Sequence, residues 1–407
     1  MQTRRITFVT PRYGADVLGG AEQGARSLAN MLSRGGWDVR VITSCARSHL
    51  TWADSFEPGT SIEEGVKVLR CPVKTLRSSD FDDFSKRILP NASTIDEATA
   101  LDWIDRQGPD SPSLLQAVAS VDEGILAFYP YLYQPTVRSI AHVQVPTVLH
   151  AACHDEPPLA LPVFKNVFAA ADALAHHTRA EQELILERFT STLNTPQVVL
   201  GLPVEISGPV DPLAACEALG LNDEPFALVL GRVDPGKGTN EILQRFSEFR
   251  CRTDKGRLVL AGPVAYKPEL PSHVTMLGPV PHEHKFGLLA AADMLINPSP
   301  RESFSIVLIE AMLVGTPVIV NGWCQPLLEH CRNSSAGLWY TGIADFQAAL
   351  RRLFDDHLLR EAMGQKGREY AQRFFSESAV YGRYELLTRQ LFQQPRAVYG
   401  RYELLTR

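Results

Sequence analysis

Short apolar, β-branched runs alternate with longer helical patterns along nearly the whole chain, and the alternation halts once and then restarts. Strands separated by helix-length connections cannot close as hairpins; they pair in parallel through βαβ units. The strand candidates of the first half are "RITFVT", "DVRVIT", "VKVLRC", "GILAFYP", "TVLHAA" and "ALAHHT". Around residues 200–212, "LGLPVEISGPVDP" concentrates Gly and Pro, after which "FALVLG", "RLVLAG", "VTMLG", "MLINPS" and "TPVIV" follow. The pattern predicts two doubly wound α/β domains joined near residue 205, a size that 407 residues allow. Sheets of this kind bind ligands beyond the carboxyl ends of their strands, and paired domains place the site in the cleft between them.

Residues 21–34 form the first helix candidate, with Ala21, Ala25, Leu28 and Leu32 on one face. The polar, acid-rich stretch 75–116 reads as an insertion of short helices. "AFYPYLYQP" (127–135) is rich in tyrosines that pack or stack on sugars. At the C-terminus "AVYGRYELLTR" occurs at 379–389 and again at 397–407, an offset of 397 − 379 = 18 residues. Pro395 interrupts a continuous helix between the copies, so the repeat reads as a peripheral duplicated tail.

Composition removes several function classes. A net charge of −6 carries no general footprint for nucleic acid, though it leaves a local basic patch against an anionic membrane open. The start, "MQTRRITFVTPRYG", has too short an apolar run for a signal-peptide core and reads as a first strand. No stretch approaches the ~20 apolar residues of a membrane helix. The seven cysteines are odd in number, scattered and without C-x-x-C, as expected of reduced thiols in a cytoplasmic protein.

Four stretches carry candidate chemistry. "LGGAEQGARSLANML" puts Gly19 and Gly20 at the turn into the first helix, where backbone can approach an anionic ligand. The spacing is not G-x-G-x-x-G, which argues against a nicotinamide dinucleotide. "LVLGRVDPGKGTNEIL" sets Arg232 and Lys237 beside a helix start, a pair of cations suited to a diphosphate. It begins like a P-loop, but Gly238 stands where that motif needs Ser or Thr. "RESFSIVLIE" holds Glu302 and Glu310. With a helix beginning near Ser303 or Phe304, eight residues span ~12 Å and rotate ~80°, too far for a proton-sharing dyad. The two can instead grip opposite ends of one extended ligand, Glu310 taking the paired hydroxyls of a ribose and the amides of Phe304 and Ser305 the phosphates. "TVLHAACHDEPP" ends a strand at His154; neither its His150/His154 spacing nor "PHEHK" (281–285) completes a metal site.

Taken in order, "GGAE", "HDE", "GRVDPGKG" and "PSPRESFSIVLIEAMLVGTPVIV" resemble the retaining nucleotide-sugar glycosyltransferases of glycosyltransferase family 4. The resemblance runs to about residue 385 and includes the family's E-x7-E motif as Glu302 and Glu310. It implies the GT-B fold: two Rossmann-like domains facing across a cleft, with 1–205 for the acceptor, 206–370 for the nucleotide sugar, and a terminal segment 371–407 crossing back. Arg232 and Lys237 would neutralise the donor diphosphate, Glu302 would bind hydroxyls of the transferred sugar, and Ser303 would belong to the donor site. Glu310 would take the ribose, Phe304 and Ser305 the phosphate, Gly19 and Gly20 would approach the donor, and His154 would contact the sugar near the reacting carbon. The implied enzyme uses no cofactor and no metal, and moves a hexosyl unit to a sugar, glycan or glycolipid acceptor. A nucleotide-sugar epimerase of the same fold and a non-catalytic nucleotide-sugar-binding protein stay open beside it. "CQPLLEHCRNSSAGLWY" (324–340) departs from the family pattern, so donor sugar and base are not assigned.

Overall fold

The computed structural model describes residues 4–17, 19–221 and 224–393. It divides into two compact units: one runs to Pro203 and resumes at Val380, and the other spans Val204–Ala379.

The first unit is built on an eight-stranded sheet. Its strands are β1 (Arg5–Val9), β2 (Asp38–Ser44), β3 (Gly59–Glu63), β4 (Val66–Cys71), β5 (Ile125–Phe128), β6 (Thr147–His150), β7 (Ala173–His176) and β8 (Gln197–Val199). They lie in the order β3-β4-β2-β1-β5-β6-β7-β8. All pairs are parallel except β3 against β4. The sequence reading lacks two strands of this sheet and Gly337–Tyr340 of the second unit, all three of them edges; β3 is exposed along most of its length and β8 is three residues long. Neither carries the apolar run that marks a strand buried on both faces.

Strand order reverses about β1 and β5, so the crevice of this sheet opens beyond their carboxyl ends. The helix Gly20–Arg34 follows β1 and buries Ala25, Leu28 and Leu32. The polar insertion folds as the helices Phe81–Ile88, Glu97–Gln107 and Pro112–Ala119. Phe81, Phe84 and Trp103 from it join the core.

The second unit has a six-stranded, fully parallel sheet. Its strands are β9 (Phe226–Leu230), β10 (Arg257–Ala261), β11 (Val274–Gly278), β12 (Met294–Asn297), β13 (Val318–Asn321) and β14 (Gly337–Tyr340), in the order β11-β10-β9-β12-β13-β14. Leu258, Leu260, Met294, Ile296 and Ile319 meet Phe246, Phe249 and Phe346 in its core. Here the order reverses between β9 and β12, which sets the loops after those two strands side by side.

Two expectations for the C-terminus change. The chain rejoins the first unit at Val380 rather than at residue 371, because Ala371 and Phe375 are still buried in the second, Phe375 edge-on to Phe304 and His330. The first copy of the repeat is not peripheral. It lies in the helix Glu377–Gln393, with Val380, Tyr384 and Leu387 buried and the Tyr384 hydroxyl 3.0 Å from His150 Nε2. The second copy and Pro395 lie outside the described residues. Among the described residues no helix is long and apolar enough to cross a membrane.

The first unit encloses three histidines at the ends of β6 and β7. His150 faces Tyr384; His176 Nε2 lies 2.9 Å from Gln197 Oε1; His177 Nε2 lies 2.9 Å from the Tyr129 hydroxyl and its Nδ1 4.0 Å from the Glu181 carboxylate. Burial, reinforced by their mutual repulsion, pushes His150 and His177 down to about 3; burial pushes His176 down to about 4. In the unfolded chain each titrates near 6.5. Below that value the unfolded state binds more protons than the folded one, so stability falls as pH drops from ~6.5 toward ~4. Denaturant unfolding of the first unit should show a loss on the order of 1 kcal/mol per histidine between pH 7 and pH 5.5. A flat profile over that range would show these rings protonating as easily in the fold as in water.

Candidate functional site

In the second unit the loop after β9 is fixed by its own side chains bonding to its backbone. Asp234 accepts from Gly236 N at 2.7 Å, while the Thr239 hydroxyl accepts from Asp234 N at 3.0 Å and donates to its carbonyl at 2.9 Å. Gly238 has φ 82°, and a Cβ there would stand 2.6 Å from the carbonyl oxygen of Pro298. The glycine that spoils the P-loop pattern is thus what lets this loop lie against the one after β12. Arg232 is exposed, with Nε 3.1 Å from the Asp234 carboxylate.

The loop after β12 carries Glu302, Ser303, Phe304 and Ser305 to the start of the helix Ile306–Val314. Ser299 N donates to Asn297 Oδ1 at 3.0 Å, and Asn321 Nδ2 donates to Pro298 O at 3.2 Å. Asn297 Nδ2 donates to the Ser305 hydroxyl at 2.9 Å, and Ser305 takes φ 71°. That conformation delays the helix to Ile306, so Glu302 sits in the loop and the eight-residue helical span expected between the two glutamates does not apply. Phe304 packs its ring on His330 and Phe375, so the ring faces away from a ligand at the helix start.

Each glutamate has a lysine. Lys237 Nζ donates to Glu302 Oε1 at 2.7 Å, which joins the loops after β9 and β12. Glu310, 4% exposed, accepts from Lys285 Nζ through Oε1 at 2.6 Å, while its Oε2 is buried without a hydrogen-bond partner. Cys324 completes this wall: burial pushes its thiol up to about 12, with Glu302 and Lys237 close enough to act on it. It is therefore an unreactive thiol at neutral pH. Among the described residues no group of three or more His, Cys, Asp or Glu side chains is placed to hold a metal ion.

The structure thus brings Lys237, Glu302, Ser303, Phe304 and Ser305 together, with Arg232 in the adjoining loop and Glu310 one helical turn farther on. Sequence reasoning missed Lys285, Asn297 and Asn321. Lys285 had a signal of its own, as the charge that opens the apolar run "FGLLAAA", but that signal names no partner.

Gly19, Gly20 and His154 belong to the first unit, beyond β1 and β6. The buried Arg12 and Glu22 side chains form an ion pair beside Gly19. Gly19 has φ 151°, and a Cβ on it would lie 1.9 Å from Glu22 Oε2, whereas one on Gly20 would meet nothing within 4 Å. Gly19 therefore shapes the turn, and Gly20 leaves open space in front of the helix N-terminus. The loop bearing His154 is held by Glu181 Oε1, which accepts from Cys153 N at 2.7 Å, and by Glu156, which accepts from the Tyr131 hydroxyl at 2.9 Å. His154 Nδ1 lies 3.8 Å from the Glu156 carboxylate, beyond hydrogen-bond reach, and has no partner.

Residues 217–370 match the family model of glycosyl transferases group 1. The D-inositol 3-phosphate glycosyltransferase of Nocardia farcinica is 29% identical over 253 residues, 56% of this chain and 55% of that protein. Its counterpart from Kribbella flavida is 30% identical over 241 residues, 54% of this chain and 57% of that one. The chain thus spans about half the length of the curated relatives it matches. Among solved structures, sucrose-phosphate synthase from Thermosynechococcus elongatus superposes with a TM-score of 0.69 at 20% identity, covering 96% of this chain and 99% of that one. Anabaena HepE in complex with UDP and glucose gives 0.67 at 14% identity, covering 95% and 100%. The fold is GT-B.

Two substitutions test the turn after β1. Gly19→Ala should destabilise the first unit by about 2 kcal/mol or more, through the clash with Glu22 and the disfavoured φ. Gly20→Ala should stay within about 0.5 kcal/mol of the parent. Equal unfolding midpoints for the two variants would contradict this division of roles.

Proposed function

We propose that the protein is a retaining glycosyltransferase that moves a hexosyl unit from a nucleotide-diphosphate sugar to an acceptor hydroxyl. The observation that carries the reading is the pair of lysine–glutamate contacts beyond the second sheet, one of which leaves a buried carboxylate oxygen open. The match of this unit to glycosyl transferases group 1 supports it. So do the UDP and glucose held by HepE and the relatives named for sugar transfer to an inositol phosphate.

On this reading the diphosphate lies between Arg232, Lys237 and the amides of Phe304 and Ser305 at the helix start. Lys237 exchanges Glu302 for a phosphate oxygen, and Glu302, with Ser303, turns to hydroxyls of the transferred sugar. Glu310 Oε2 takes a ribose hydroxyl. The acceptor oxygen attacks the anomeric carbon from the face the diphosphate leaves. The carbon–oxygen bond to phosphate breaks, the bond to the acceptor forms, and the acceptor proton passes to a phosphate oxygen. Negative charge grows on that phosphate as its bond breaks, so Arg232 and Lys237 stabilise the transition state more than the ground state. In this reading they supply the charge a metal would bring, and no cofactor takes part. His154 contacts the sugar near the reacting carbon, Gly19 and Gly20 approach the donor, and the first unit holds the acceptor, a sugar, glycan or glycolipid. Seven free cysteines support a cytoplasmic setting, with peripheral contact to the inner membrane face compatible with it.

Lys237→Ala should fold and lower turnover by roughly 10²-fold or more, as loss of one donor at a developing anion does elsewhere; near-parental turnover would remove the assigned role. Glu310→Ala should weaken nucleoside diphosphate binding by about tenfold, measured by titration calorimetry. Transfer itself is tested by incubating nucleotide sugars with and without an acceptor pool. Product only with acceptor supports the reading, whereas an isomerised sugar nucleotide without acceptor marks an epimerase.

A further inference from the structure

We infer that Lys285 is a specificity-determining partner of Glu310, and that the two side chains together select a ribonucleotide over its 2′-deoxy counterpart. The inference rests on the donor reading above and gives a role to Lys285, to which that reading assigns no contact with the donor.

The geometry is that of a half-filled polar site. Glu310 is 4% exposed and spends Oε1 on Lys285 Nζ at 2.6 Å, while Oε2 is buried and unpartnered. A carboxylate offers acceptors only, and an ammonium offers three donors, one of which Glu310 takes. The Lys285 side chain is 24% exposed, and Glu310 is the one hydrogen-bond acceptor its Nζ meets among the described residues. A ligand that completes both must donate to Oε2 and accept from Nζ through neighbouring atoms. Phosphate cannot donate when ionised, and it would bring negative charge against the carboxylate. A vicinal diol does both: one hydroxyl donates to Glu310 and its neighbour accepts from Lys285.

Position favours the ribose as that diol. Glu310 lies one turn inside the helix that begins at Ile306, about 6 Å along its axis. With the diphosphate at the helix start, that offset is the length of one sugar ring from the 5′ phosphate, short of the base. Lys285 comes from a different helix, His282–Ala291, whose carbonyl at Leu289 accepts from the Thr316 hydroxyl at 2.6 Å just past the Glu310 helix. The two charges are therefore presented by braced elements.

A purely structural lysine would lower the affinity of every nucleotide alike when removed; a diol reader changes the ratio between ribose and deoxyribose. Calorimetric titration of the full chain with UDP, GDP and ADP identifies the tightest binder, which is then compared with its 2′-deoxy form. The parent protein should bind the deoxy form about tenfold or more weakly. Lys285→Met should lose about tenfold in ribonucleotide affinity and bring the two forms within about threefold of each other, and Lys285→Arg should restore most of the difference. If Lys285→Met does not fold, the ratio is read in Lys285→Gln. A parental ribose preference retained without Lys285, or no preference in the parent, overturns the inference while leaving the donor reading standing. Failure of all three diphosphates to bind the parent overturns the donor reading, and the inference with it.

Discussion

Charge neutralisation at the carboxyl end of the second sheet is the constraint on which the rest of the site depends. Two glutamates stand there, one in a loop and one buried in an apolar helix, and each is matched by a lysine from a different element. A buried carboxylate without a counter-charge costs several kcal/mol. The lysines therefore tie the loop after β9 to the loop after β12 and one helix to another. On the proposed reading a diphosphate takes Lys237 from Glu302, while a ribose adds to the Lys285–Glu310 pair through the carboxylate oxygen that the pair leaves unused. On that reading one set of side chains supplies both stability and recognition.

The sheets explain why the site is where it is. In each unit strand order reverses once, between β1 and β5 and between β9 and β12. Only at such a reversal do two successive loops part to opposite sides and leave a crevice. In the second unit that crevice is edged by Arg232 and Lys237 on one side and Glu302 on the other. In the first it is edged by the turn at Gly19, where a buried Arg12–Glu22 ion pair backs the start of the first helix.

Much of this was legible in the sequence, for physical reasons that differ from element to element. Central strands such as "FALVL" and "MLIN" are buried on both faces and read as unbroken apolar runs. The edge strands "GTSIE" and "QVV" lack that signal, since an edge need not be apolar. Glu302, Glu310, Arg232 and Lys237 stood out as charges at strand ends or within apolar runs. What could not be read was pairing. Nothing in the spacing tells Glu310 to choose Lys285, twenty-five residues upstream, because that choice is made by the packing of two helices. The helix start at Ile306 was equally hidden, since it follows from a bond between Asn297 and Ser305 that fixes a left-handed backbone.

Diffraction from crystals of the full chain grown with a nucleoside diphosphate sugar tests the central claim most directly. The account predicts Lys237 Nζ about 3 Å from a phosphate oxygen instead of Glu302, and Glu310 Oε2 against a ribose hydroxyl. Nucleotide density elsewhere on the protein, with both lysine–glutamate pairs unchanged, would contradict it.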